Sequence, residues 1–230
     1  GGENSFGPGA YRGTPIEEAL PVDMEVKKHK VMPVGAVALV LHTCEFEDGN
    51  RWARETAAAV VDVLGGRDKV GVLLYDTANE RWGIPMQPAA NKERIKAELY
   101  NLEPGDMPDF HAIMKLAYQG LMTDAKEAAV KHIIVISDGD PSAPSPEMLN
   151  DIARARITIS TVGIGIHGSN CLPMISQVTK GQYYPIKGPQ EIPRIFLKEA
   201  QRVLKPAIIE ETFRPTLLPG SQLTTGIEQV

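Results

Sequence analysis

Four short apolar runs constrain the fold of this chain more than any other feature: Ala36–Thr43, Lys69–Asp76, His132–Ser137 and Ile157–Gly163. Each is rich in Val, Ile or Leu, and none alternates apolar with polar residues. A strand with one wet face alternates with period two. An unbroken apolar strand is covered on both faces, as in a parallel sheet with helices above and below. The wide intervals between the runs leave room for the crossovers that parallel pairing needs.

Those intervals carry helical patterns. Trp52, Thr56, Val60, Val63 and Leu64 share one face. Phe110, Ile113, Met114, Ala117, Leu121 and Met122 share another, with Asp106 as the expected N-cap and Pro108 in the first turn. Ser145-Pro146-Glu147 combines a cap, a proline at the first position and an acid at the positive end of the dipole. Leu172, Ile175 and Val178 mark a further helix, and Ile195, Phe196, Ala200 and Val203 the last. Two more strands are predicted: Arg81–Met86, one tight turn beyond the second run and so an antiparallel edge, and Gln182–Ile186. Alternation of strand and helix gives an α/β fold, a three-layer, doubly wound, mostly parallel sheet with one antiparallel edge strand.

The 230 residues and 43% hydrophobic content suit one domain of ordinary size, or one domain with an attachment. Residues 1–30 and 204–230 are rich in Gly and Pro or lack periodicity, and read as irregular arms around a domain at 31–203. The chain begins Gly-Gly, and the expectation is a fragment of a longer protein. The net charge of −5 without a basic stripe argues against nucleic acid as a partner. No apolar run approaches the roughly 20 residues of a bilayer span. Cys44 and Cys171 are too few for a disulfide scaffold, and their strands are expected to be too far apart to bridge.

Ligands of such sheets bind beyond the carboxyl ends of the strands. Those ends are "HTCEFEDG", "DTANE", "SDGDPSAPS" and "GIGIHGSNC", with "EPGDMPDF" beside them. "GIGIHG" fits Gly-x-Gly-x-x-Gly, but it does not follow the first strand and no acid ends the next one. Its glycines are better read as turning the chain.

In order and spacing, "VALVLHTCEF", "DKVGVLLYD", "PGDMPDFHAIMKLAYQGL", "HIIVISDGDPS", "ITISTVGIG" and "GQYYPI" resemble the von Willebrand factor A domain over about residues 31–203. That resemblance implies a Mg²⁺-dependent adhesion site: Asp-x-Ser-x-Ser after the first strand, a Thr in a middle loop and an Asp after the fourth strand. Mg²⁺ takes oxygen ligands in octahedral array. Here His42, Cys44 and Phe46 stand at the first three positions and Pro108 at the fourth, and only Asp138 matches. Ordinary Mg²⁺ binding is therefore expected to be lost, with no metal, cofactor or catalytic residue assigned. The arms resemble segments of a glutamine-amidotransferase-like domain of bacterial membrane proteins, which implies a membrane-anchored parent but no amidotransferase activity.

The leading expectation is a non-enzymatic interaction or scaffolding module. It would bind another protein, or another domain of its parent, through Glu45, Glu47, Asp48, Asp106, Asp109 and Asp140. The alternative is a transition-metal or reactive-thiol site built from His42, Cys44 and Asp138, the first two pointing the same way along an extended segment. Against both uses, His42 could be a satisfied polar residue, Cys44 a half-buried hydrophobe, and Asp138 and Asp140 turn formers. Phe46, Met107 and Pro108 are expected to fill the mouth of the loops with apolar bulk, which favours binding over catalysis.

Overall fold

Strand β1 (Gly35–Leu41) is buried along its whole length, and this determines the rest of the architecture. The computed structural model describes residues 33–165 and 171–204, so residues 1–30 and 205–230 of the two expected arms lie outside it. Five further strands surround β1: β2 (Lys69–Tyr75), β3 (Glu80–Pro88), β4 (Val130–Ser137), β5 (Ile157–Ile164) and β6 (Tyr183–Ile186). Their order across the sheet is β3-β2-β1-β4-β5-β6. β1 pairs in parallel with β2 and β4, and β5 in parallel with β4 and β6. β3 alone runs antiparallel, beside β2, with register irregularities near Val72. This is the predicted sheet, with β1 two residues shorter at its end than its apolar run and β3 longer than its own.

The alternating side chains of each strand feed two separate cores. Val37, Leu39 and Leu41 face one side, where they meet helices α1 (Gly49–Val63), α2 (Lys92–Leu99) and α6 (Ile192–Leu204). Ala36, Ala38 and Val40 face the other, against α3 (His111–Thr123), α4 (Pro146–Arg154) and α5 (Leu172–Val178). Helix α2 was not expected from the sequence. Only Ile95 and Leu99 of its eight residues are buried, too few for a periodic signal, and it is held instead by the Asn91 side chain accepting from the Arg94 N–H at its start.

Helix α3 begins later than its sequence pattern indicates. Asp106 does not cap it. Asp109 does, its Oδ1 accepting from the amides of His111 at 2.8 Å and Ala112 at 3.3 Å. Pro108 precedes the helix. Ser145 caps α4 as predicted, accepting from Met148 N.

Two glycines are required by one ring. A Cβ on Gly71 of β2 would lie 2.4 Å from the Trp82 indole, and one on Gly120 of α3 would lie 2.5 Å from it. Trp82 on the edge strand thus sits in a slot that only glycine leaves open. The sheet edges themselves carry prolines: Pro85 and Pro88 on β3, and Pro185 on β6.

A buried polar cluster ties α6 to the sheet. Glu199, fully buried on α6, accepts from Tyr184 Oη at 2.6 Å and from Ser160 Oγ. His132 Nε2 lies 3.3 Å from Oε2, the oxygen that Ser160 also reaches. Ser160 in turn accepts from Gln182 N at 3.0 Å. These donors hold the Glu199 carboxyl down at about 2, against the upward push of burial.

Candidate functional site

The carboxyl ends of β1 and β4 meet at His42. Its amide continues the strand register, donating to Ile136 O at 3.0 Å, and its side chain is 1% exposed. His42 Nδ1 lies 2.9 Å from Ser137 Oγ. That hydroxyl also accepts from Gly139 N at 3.0 Å and reaches Asp138 Oδ1 at 3.3 Å. A serine hydroxyl has one proton. With the Gly139 amide donating to it and the acceptor-only Asp138 carboxylate taking its proton, the Nδ1 contact requires the proton to sit on the imidazole. In the neutral ring the second nitrogen, Nε2, is then a bare lone pair. It is buried and has no hydrogen-bond partner, an arrangement that costs about 1–3 kcal/mol if nothing fills it.

Three loops converge on that imidazole. The loop after β1 folds back sharply: Asp48 adopts φ 55°, and a Cβ on Gly49 would sit 1.8 Å from Thr43 O. Thr43 Oγ1 donates to Asn50 Oδ1 at 2.9 Å, and Asn50 Nδ2 donates to Pro104 O at 3.0 Å, which joins this loop to the segment before α3. That segment is fastened to β2 by Gly105 N donating to Tyr75 O at 2.8 Å. It is fastened to the loop after β4 by Phe110 N to Ser142 O at 2.9 Å and Ser142 N to Pro108 O at 3.1 Å.

The result is an acidic mouth. Asp106 Oδ1 lies 3.5 Å from His42 Nε2. Asp138 Oδ1 and Asp140 Oδ1 lie 3.3 and 3.9 Å from His42 Nδ1. One ligand-capable atom from each of His42, Glu45, Asp106 and Asp140 falls within 4.8 Å of the others. Crowded carboxylates cannot all ionise freely. A hydrogen bond shared with Asp138, together with burial and the charges of Asp138, Asp140 and Asp106, lifts Glu45 to about 7. Burial and the same sharing raise Asp140. Asp138 is the low member: burial opposes its charge, but hydrogen bonds from Glu45 and Asp140 and the nearby His42 outweigh it.

The expected residues take different places in this mouth. His42 and Asp138 meet as predicted. Cys44 does not join them: the strand ends at Leu41, so Cys44 lies in a turn and is exposed rather than half-buried. Burial of the sulfur, then the charges of Asp106 and Glu45, raise its thiol above the ordinary value, the reverse of an activated nucleophile. Glu45, one residue on, takes the place expected of Cys44. Cys44 and Cys171 are both free thiols. Phe46 and Met107 do not fill the mouth: Phe46 packs on one core and Met107 is buried in the other. Pro108 is exposed. Glu47 and Asp48 are exposed on the rim, where Asp48 accepts from Arg51 at 2.9 Å. Asp109 is occupied as the cap of α3. Gly165, within the Gly-x-Gly-x-x-Gly stretch, takes φ 60°, a turning role; Gly163 and Ile164 end β5, and residues 166–168 lie outside the described residues.

A family model for the von Willebrand factor type A domain matches residues 47–196, well over half of the chain. The chain belongs to that family. VWA domains are typically protein–protein interaction modules. Solved structures agree on the fold. BatB from Bacteroides thetaiotaomicron superposes with TM-score 0.57 at 17% identity, over 73% of this chain and 97% of that one. An aerotolerance-related membrane protein from Bacteroides fragilis gives 0.55 at 15%, over 73% and 98%. A von Willebrand factor type A protein from Catenulispora acidiphila gives 0.60 at 18%, over 75% and 43%. No curated protein matches by sequence. Among the described residues no helix is long and apolar enough to cross a membrane.

The family's Mg²⁺ site can be compared with what stands here. Mg²⁺ wants hydroxyl, carboxylate and water oxygens in near-ideal octahedral geometry. At the positions expected from the resemblance stand the His42 imidazole, the exposed Cys44 thiol, the Phe46 ring, which packs on one core, and Pro108. The fifth, Asp138, is engaged with Ser137 and His42. Of these five residues only Asp138 offers the kind of oxygen ligand that Mg²⁺ prefers.

Proposed function

We propose that this VWA domain is a non-enzymatic interaction module. It docks another protein, or another domain of its parent chain, through the loops at the carboxyl end of the sheet, without the Mg²⁺-centred arrangement. The observation that carries this reading is the buried His42 imidazole, hydrogen-bonded into the scaffold where the family's first carboxylate would reach the metal. Rigidly knit loops with exposed acids at Glu47, Asp48, Asp106 and Asp140 offer a shaped, negatively charged face, suited to a partner with a basic patch. The division into arms and domain, and a membrane-anchored parent in which the domain is an insert, belong to the same proposal. The division rests on the composition of residues 1–30 and 204–230, and the membrane-anchored parent on the resemblance of the arms to segments of a glutamine-amidotransferase-like domain.

Two measurements test it. Millimolar MgCl₂ should leave the melting temperature unchanged; a clear rise that disappears in Asp138→Ala would refute loss of the Mg²⁺ site. A photo-crosslinker placed at Glu47 or Asp106 of the full-length parent should form a discrete adduct in cells. At Arg156, on the opposite end of the sheet, it should not. Equal labelling at both ends would refute the assignment of the face.

A further inference from the structure

The mismatch with Mg²⁺ has a positive side. We infer that the mouth of the loops binds a borderline transition-metal cation, Zn²⁺ foremost, through His42 Nε2 and the carboxylates of Glu45, Asp106 and Asp140. Clusters of surface acids are common without an ion, and these three acids alone would mean little. The buried nitrogen separates this cluster from the ordinary ones. His42 is 1% exposed, Nε2 has no hydrogen-bond partner, and Asp106 Oδ1 lies 3.5 Å in front of it.

The other ring nitrogen is already held as in metal-binding histidines. Nδ1 is fixed by Ser137 Oγ at 2.9 Å, with Asp138 beside it at 3.3 Å. An imidazole pinned this way has its tautomer and plane set and its basic nitrogen turned outward. Asp138 is therefore a positioning residue for the histidine, not a ligand. One donor atom from each of the four residues, a ring nitrogen in the case of His42, lies within 4.8 Å of the others. A tetrahedral zinc with bonds of about 2.0–2.1 Å spaces its ligands about 3.4 Å apart. The set must close by roughly an ångström, within reach of exposed carboxylates on rotatable side chains. One imidazole and three carboxylates suit Zn²⁺ or its neighbours in the divalent series better than Mg²⁺. This inference is independent of the interaction reading: crosslinking tests the face whether or not zinc binds.

The experiment uses the full chain, stripped with chelator and titrated with ZnCl₂, then MgCl₂, by calorimetry, with bound metal counted by native mass spectrometry. The expected result is one zinc per chain and no Mg²⁺ heat at millimolar concentration. Glu45→Gln and Asp106→Asn, both at exposed positions and checked for folding by circular dichroism, should each weaken zinc at least about tenfold. Ser137→Ala, acting through the histidine, should weaken it by about 10–100-fold and alter the visible spectrum of the Co²⁺ form. Absence of stoichiometric zinc overturns the inference, as does Mg²⁺ binding of equal strength. Unchanged zinc affinity in either carboxylate variant overturns the four-residue site.

Discussion

Replacing Glu199 by Gln tests how the last helix is locked to the sheet. The carboxylate is fully buried yet ionised, because Ser160, Tyr184 and His132 surround it. Its pKa falls from 4.5 to about 2 on folding. A carboxyl with a depressed folded pKa stabilises the fold fully above its unfolded pKa. The stabilisation drains away as pH falls from about 4.5 to about 2. At about 1.4 kcal/mol per pKa unit the shift corresponds to about 3 kcal/mol; screening by water at the half-exposed Tyr184 brings it nearer 2. Glu199→Gln keeps the shape and loses the charge. In urea denaturation at pH 7 it should cost 2–3 kcal/mol, roughly 5–10 °C in melting temperature for a domain of this size. By pH 3 the gap from the wild type should shrink to roughly half, since the wild type is then losing the same contribution. A gap below about 0.5 kcal/mol at pH 7, or one that stays constant down to pH 3, would show that the charge is not what holds α6.

Other outcomes follow from single contacts. Gly120→Ala, which stabilises an ordinary helix by up to about 1 kcal/mol, should instead destabilise α3 here by about 1–3 kcal/mol. The new methyl would lie 2.5 Å from Trp82, so the loss should come with a shift in Trp82 fluorescence and vanish in a Trp82→Ala background. Asp109→Ala removes the cap of α3 and should cost about 1 kcal/mol, whereas Asp106→Ala should cost almost nothing; the opposite ranking in thermal melts would restore Asp106 as the cap. Cys44, exposed but with its thiol raised, should react with iodoacetamide at pH 7.5 more slowly than free cysteine. Faster alkylation would revive the reactive-thiol reading.

Elements buried on both faces were legible because burial writes itself into composition: β1, β2, β4 and β5 contain little that water could face. Helix α2 was not, because it buries two side chains and its start depends on one asparagine. Glu199 left a faint signal. It falls three residues after Phe196 and one before Ala200, on the buried stripe of α6, and His132 interrupts an apolar strand; two polar groups intruding on facing apolar surfaces could have been paired. At the site, the types were readable and the convergence was not. Glu45, Asp106 and Asp140 come from three loops whose meeting depends on Asn50, Gly105 and Ser142, hydrogen bonds with no periodic trace. The expectation for Cys44 failed for a local reason: period two holds only while the strand continues, and β1 stops at Leu41, before His42.

Both margins of the sheet end in residues that cannot donate to a newcomer, Pro85 and Pro88 on β3 and Pro185 on β6. Proline on an edge removes the amide that an incoming strand would need. On both margins of the described domain this disfavours recognition by strand addition and runaway sheet growth. Under the proposed interaction reading, a partner meets the acidic pole at His42 rather than the edges.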